Sequence, residues 1–261
     1  MILDFDMPTG LVALWGLWVF RATGLVLTVP FFGGIGVPPR MKAGIVVVLS
    51  TVLFLAKPDG PDASVLPRVD WFLLVLGTRE LLVGMMIGLM VRAMFVPFLL
   101  AGELIGHEMA FNMAQVVAPE SGAGGTILAV LFEMFAMALF LAFDFHHDVL
   151  EMLALSYSMD LPGSGAALPN WIGWFVGYFL GILEAAVVLV APVFFLLITL
   201  TVAVGILAKT VPQMNVLDLS FPMRILGALL AITVFLPEMA YEIHRILTHN
   251  TDLAFQFLKQ W

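Results

Sequence analysis

Cysteine is absent from this 261-residue chain, which excludes disulfides, thiol catalysis and cysteine-ligated metals. Charge is nearly as scarce. Only 11% of residues are Asp, Glu, Lys or Arg, where soluble domains carry about 25%. Basic residues are the rarer sign, 11 against 19 acidic for a formal charge of -8, which excludes nucleic acid as a partner. Alternating runs suited to barrel strands are missing. So are a GxSxG string, a Walker loop and a dinucleotide fingerprint; the GAGG at Gly122–Gly125 lacks the Lys-Ser/Thr of a phosphate loop. His107-Glu108 opens an HExxH-like string, but Phe111 stands where the second zinc ligand is needed. DFHHD (Asp144–Asp148) puts Asp144, His147 and Glu151 on one helical face. Without a second ligand cluster nearby it reads as a polar helix end near the membrane surface. The expectation is a non-enzyme without catalytic residues, metal or cofactor.

What is present is oil. The chain is 62% hydrophobic with a mean hydropathy of +1.07, which marks an integral membrane protein or one assembled through a membrane. Met1–Met7 holds Asp4 and Asp6 and no basic residue, so the first apolar run lacks the n-region of a signal peptide and is expected to be permanent. The fold class is all-α, with long, kinked, membrane-type helices and helical hairpins. The first run is about Leu11–Phe32, ending in GGIGVPPR; the second is Met41–Ala56. A third, from Trp71 to about Ile105, is too long for one span and should break near Pro97. A fourth runs from about Thr126 to Leu155, and a Pro/Gly/Ser-rich loop follows at Asp160–Asn170. The fifth, Trp171–Lys209, would measure roughly 58 Å as one helix. It is either a hairpin broken near Glu184–Pro192 or a helix not confined to hydrocarbon. After the loop VPQMNVLDLSFP, a sixth runs from about Met223 to His249, with a short amphipathic tail at Thr251–Trp261.

Arg21, Arg79, Glu80, Arg92, Glu103, Glu133, Glu184 and Arg224 interrupt these runs. An ionisable group at mid-bilayer costs roughly 2.5–3.5 kcal/mol on insertion scales. Inter-helix or inter-subunit pairing accounts for them more simply than a proton relay does. Arg79 and Glu80 are adjacent and point about 100° apart, so they need not pair with each other. Glycines at intervals of four point to close helix packing: Gly173, Gly177 and Gly181; Gly84 and Gly88; Gly102 and Gly106. Met86, Met90 and Met94 share one face and read as core filling. The segment Ala101–Gly125 is the candidate working part. It gathers Glu103, His107, Glu108, Asn112, Gln115, Glu120 and Ser121 with five glycines, and Met109 and Met113 flank Phe111. Soft thioethers there suit either a core or a gasket around a passage.

Five strings carry a resemblance: VPFFGGIGVPPRMKAGI, RELLVGMMIGLMVRAMF, AGELIGHEMAFNMAQVVAPESG, LFLAFDFHHDVL and AKTVPQMNVLDLSFP. With them the chain resembles the FliR/SctT family, the export-gate proteins of type III secretion, on its flagellar branch. The resemblance implies one export-gate domain over 1–261, with a FliP-like half at 1–122 and a FliQ-like half at 123–261, in a helical hetero-oligomer. It implies FliP-like and FliQ-like subunits, FlhB-like and FlhA-like components, unfolded export substrates and membrane lipid as partners. The location it implies is the bacterial inner membrane at the flagellar basal body, with the assembled core projecting to the periplasmic side. It implies a loop over about Gly106–Gly122 that plugs a central pore, involving Gly106, Met109, Phe111, Asn112, Met113, Gln115, Pro119 and Gly122. Glu103, Glu108, Arg79, Glu80 and Arg92 are then expected to anchor that loop or carry inter-subunit charge. Pro212, Gln213, Asn215, Phe221 and Pro222 form the family-motif loop. The alternatives are an injectisome export-gate subunit and an ion-coupled secondary transporter.

Overall fold

The computed structural model describes residues 9–33, 37–56, 71–109, 126–159, 171–210 and 216–259. All regular structure among them is helical: α1 (Thr9–Thr28), α2 (Pro30–Gly33), α3 (Pro39–Leu55), α4 (Trp71–Ala93), α5 (Val96–Glu108), α6 (Ile127–Ala142), α7 (Phe145–Met159), α8 (Trp171–Thr210) and α9 (Val216–Lys259). Four helical stretches among the described residues are long and apolar enough to cross a membrane, or five if α6 and α7 together make one broken span. The all-α, membrane-type class expected from the apolar runs is what the chain adopts.

The helix ends have local causes. The third apolar run breaks at Met94–Phe95, and Pro97 falls in the first turn of α5, where its missing N–H has no intrahelical acceptor to lose. The fourth run breaks where no break was expected, at Phe143–Asp144. Asp144 takes a left-handed φ of 62°, a conformation Asp tolerates better than most residues. Of the two readings of the fifth run, the unbroken helix holds: α8 continues for 40 residues through Pro192. The sixth run and the tail are one helix of 44 residues that contains Pro222 and Pro237. Phe221 and Pro222, expected in a loop, are therefore helical. A proline inside a helix costs about 3 kcal/mol, and Val216–Phe221 offers no glycine at which the helix could stop.

The chain divides into two compact units. The first comprises Met1–Arg92, His146–Trp174 and Thr251–Trp261. In it α1 and α4 run parallel at near backbone contact. A Cβ on Gly84 would collide with the Arg21 carbonyl, one on Gly24 with the Leu81 carbonyl, and one on Gly88 with the Thr28 hydroxyl. Gly84 and Gly88 thus serve the close packing that their spacing suggested. Trp18 stacks on Tyr157 with ring centroids 3.9 Å apart, and the Tyr157 hydroxyl donates to the Trp18 carbonyl at 2.7 Å. Met90 is buried here, as core filling requires.

The second unit comprises Ala93–Phe145 and Phe175–Asn250. Its centre is an antiparallel pairing of α5 with α6. Phe95 meets Phe140 at 5.3 Å between ring centroids, while at the other end Gly102 and Gly106 lie against Ala129 and Thr126. Phe98, Ile105, Phe132 and Ala136 fill the core between them. In the same unit Gly227 of α9 faces Leu200 of α8, and an apolar groove of about 560 Å³ runs along α8, lined by Pro192, Phe195, Leu200, Met223 and Phe235.

Candidate functional site at the foot of the 110–125 segment

The segment singled out by its polar residues begins at the C-terminus of α5 and ends where α6 starts. Its two ends are joined. Glu103 accepts the Thr126 backbone N–H at 3.1 Å. The Thr126 hydroxyl donates to the Gly102 carbonyl at 3.3 Å and accepts the Ala129 N–H at 3.1 Å. Thr126 is thus the N-cap of α6, in extended backbone geometry, and supplies an acceptor that helix starts require. It is 2% exposed, so both bonds of its hydroxyl are buried, while the Glu103 bond is partly open to water. Gly106 makes the junction possible, since a Cβ there would come within 2.7–2.8 Å of the Thr126 side chain.

The helix persists into the stretch expected as loop. Gly106, His107 and Glu108 belong to α5, and the Met109 N–H closes its last turn on the Ile105 carbonyl at 3.0 Å. Met109 is fully buried, so its thioether packs inside the chain at the foot of the segment. His107 is mostly exposed and stands 3.6 Å from the second Glu103 oxygen. Arg224 of α9 donates to the Glu108 carbonyl at 3.4 Å, tying α9 to the same foot. The remaining plug residues, Phe111, Asn112, Met113, Gln115, Pro119 and Gly122, lie outside the described residues, as do Pro212, Gln213 and Asn215.

The other expected charges fall elsewhere. In the first unit Arg21 and Glu80 are both completely buried and form an ion pair, with Arg21 Nε donating to Glu80 at 2.7 Å. Arg21 also donates to the Ser156 carbonyl at 2.6 Å, and its guanidinium lies over the Tyr157 ring at 4.9 Å. Arg79 joins the second Glu80 oxygen at 2.8 Å. Adjacent residues do pair here, because the long Arg79 side chain curls back to a carboxylate held in place by Arg21. The partners of Arg79 and Glu80 therefore include residues of their own chain, and so does the partner of Glu103. Arg92 is exposed, as are Gly173, Gly177 and Gly181. Added Cβ atoms at Gly177 and Gly181 would meet nothing within 4 Å.

Sequence reasoning missed Thr126, Ser156 and Tyr157. Thr126 carried a usable signal, since a threonine directly before an apolar run is a helix-start signature. Ser156 and Tyr157 carried none, because their roles depend on a fold that brings α7 beside Arg21.

A clamped hairpin foot, an ion pair buried between two helices apolar enough to cross a membrane and long exposed apolar helices define, among the described residues, a helical membrane-type protein with an elaborated polar segment. A family model described as bacterial export proteins, family 1, matches residues 12–249, and this chain belongs to that family. It is 28% identical to the flagellar biosynthetic protein FliR of Bacillus subtilis over 210 residues, covering 78% of this chain and 79% of the relative. To FliR of Escherichia coli it is 28% identical over 229 residues, 85% and 84% of the two chains. To the surface presentation of antigens protein SpaR of Shigella flexneri it is 24% identical over 215 residues, 82% of each.

Proposed function

We propose that this chain is a core subunit of the flagellar type III protein export gate, and that it lines and plugs the channel through which unfolded flagellar substrates cross the inner membrane. The observation that carries the reading is family membership over residues 12–249, together with flagellar relatives that match over most of both chains. Its partners are FliP-like and FliQ-like subunits, with FlhB-like and FlhA-like components beside them, in a helical hetero-oligomer at the basal body whose core projects to the periplasmic side. The FliP-like half at 1–122 and the FliQ-like half at 123–261 describe sequence halves, distinct from the two packed units. The SpaR relatives favour an injectisome gate as the second reading.

The role is gating and structure, not catalysis. Phe111, Asn112, Met113 and Gln115 form the plug, while Gly106, Met109, Glu103 and Thr126 hold its foot. The clamp supports this division, since it satisfies polar groups at both ends of the segment.

Deleting Phe111–Gly122 while keeping Met109 and Thr126 should leave the complex assembled and make the membrane leak ions. Unchanged conductance counts against the plug. Removing the whole chain should abolish export of flagellar subunits; undiminished export counts against the flagellar assignment.

A further inference from the structure

Helix α8 has two faces of opposite character. Tyr178, Ile182, Ala186, Leu189 and Val193 are buried at intervals of three and four. On the opposite side runs another seam at the same spacing, Gly177, Gly181, Glu184, Val188, Ala191 and Phe195, and every one of these is exposed. Glu184 lies two residues from both Ile182 and Ala186. At about 100° per residue it therefore points away from the chain's own core. No described residue supplies it with a hydrogen bond or ion pair. Beside it, the open surface over Gly177 and Gly181 would let a neighbouring backbone approach closely.

The position of Glu184 makes its exposure informative. It sits within the apolar stretch Gly173–Leu207, eleven residues from its start, or about 16 Å along the axis. Apolar side chains flank it on both sides, with Leu180, Leu183, Val187 and Val188 all exposed, so it is not part of a polar channel lining. Lipid tails offer a carboxylate no partner. A second copy of this chain, docked through the same seam, would set carboxylate against carboxylate. A cation on an apolar helix satisfies both the charge and the surface around it.

We propose that this seam of α8 docks a transmembrane helix of another export-gate subunit, and that an Arg or Lys of that helix pairs with Glu184. The inference rests on reading the chain as an export-gate subunit. Exposed residues at alternating spacings of three and four fit the shallow crossing of ridge-into-groove packing. Gly177 and Gly181 bring the helices close enough for the pair to be shielded.

The test uses the full chain, tagged and recovered with its companions from native membranes. Glu184→Lys should lower the recovered companion subunits by roughly tenfold or more, with a smaller loss for Glu184→Gln. Reversal of one companion Arg or Lys to Glu should restore assembly to Glu184→Lys. Because the seam does not touch the chain's own core, thermal melting of the isolated chain should be the same for all variants. Independently, Leu180→Cys, at an exposed position beside the seam, gives this cysteine-free chain a unique thiol. A benzophenone probe on it should crosslink the companion helix that carries the restoring Arg or Lys. Wild-type recovery for both Glu184 variants, a melt that falls with recovery, or crosslinks to lipid alone would each overturn the proposal. If the Glu184 variants assemble normally while deletion of Phe111–Gly122 still leaks, the docking seam fails and the gate reading stands.

Discussion

Glu80→Ala should be the most damaging single change in the first unit. The carboxylate is completely buried between two guanidinium groups, 2.7 Å from Arg21 Nε and 2.8 Å from Arg79 Nη1. Without it, Arg21 remains buried with a full charge. Its neighbours there include uncharged groups, the carbonyl and hydroxyl of Ser156 and the Tyr157 ring, which do not replace a carboxylate. Breaking a buried pair from one side costs about 3–5 kcal/mol. At about 1.4 kcal/mol per decade this is a loss of roughly 100- to 3,000-fold in the folding equilibrium. Arg21→Ala should cost less, because Glu80 keeps Arg79, and the loss is then mostly packing and the Ser156 bond. The combination Arg21→Met with Glu80→Leu should recover most of the stability, since it removes both desolvated charges at similar volume. Arg79 lies at the edge of the core with 11% of its side chain exposed, and can turn outward. Thermal unfolding of the detergent-purified protein, checked by protease resistance of the chain in membranes, gives the ranking. A Glu80→Ala variant within about 1 kcal/mol of wild type, or a double variant no better than Glu80→Ala, refutes the reasoning.

Two further outcomes follow from the same geometry. Gly84→Ala should destabilise by about 1–3 kcal/mol, because its Cβ would strike the Arg21 backbone carbonyl, whereas Gly177→Ala, which meets open space, should leave the melting temperature of the isolated chain level or slightly raised. Thr126→Val should cost about 0.5–2 kcal/mol through loss of the α6 cap and speed hydrogen exchange at the Ala129 amide, and Thr126→Ser should restore both; unchanged exchange in the valine variant would show that the cap is not what orders this turn.

The class of fold was legible because long apolar runs leave few alternatives to membrane helices. Breaks marked by proline and glycine were legible where a residue ends a helix by its own chemistry, as at Pro97 and in the GGIGVPPR string after Phe32, whereas the break between Thr28 and Pro30 was not expected. The break at Asp144 was not, because Asp adopts the left-handed conformation only when the surrounding chain requires it. Unbroken passage through Pro222 was equally illegible, whereas continuity through Pro192 was one of two open readings and the sixth run was expected to pass Pro237 unbroken. Local chemistry at Pro222 argues for an end, yet the helix continues through this exposed residue. Glycine spacing gave close packing correctly for Gly84, Gly88, Gly102 and Gly106, but spacing carries no information about the partner. The same interval at Gly177 and Gly181 meets nothing within 4 Å among the described residues. Partners of charges were the least legible part. The Arg21–Glu80 pair joins residues 59 apart, and only the parallel packing of α1 on α4 brings them together.

The arrangement at the foot of the 110–125 segment also limits how a gate built on it could move. Opening by parting α5 from α6 would break the Glu103–Thr126 and Thr126–Gly102 hydrogen bonds. It would also separate Gly102 and Gly106 from the residues they pack against and wet a core containing Phe98, Ile105 and Phe132. Each bond is worth about 0.5–1.5 kcal/mol, and exposing a large apolar side chain costs about 1.5–3 kcal/mol more. Motion confined to 110–125 breaks none of these contacts. Met109 stays buried behind the last turn of α5, and Thr126 stays capped onto α6. If the proposed plug moves, the α5–α6 hairpin is therefore expected to stay intact beneath it, because parting the two helices carries the larger cost.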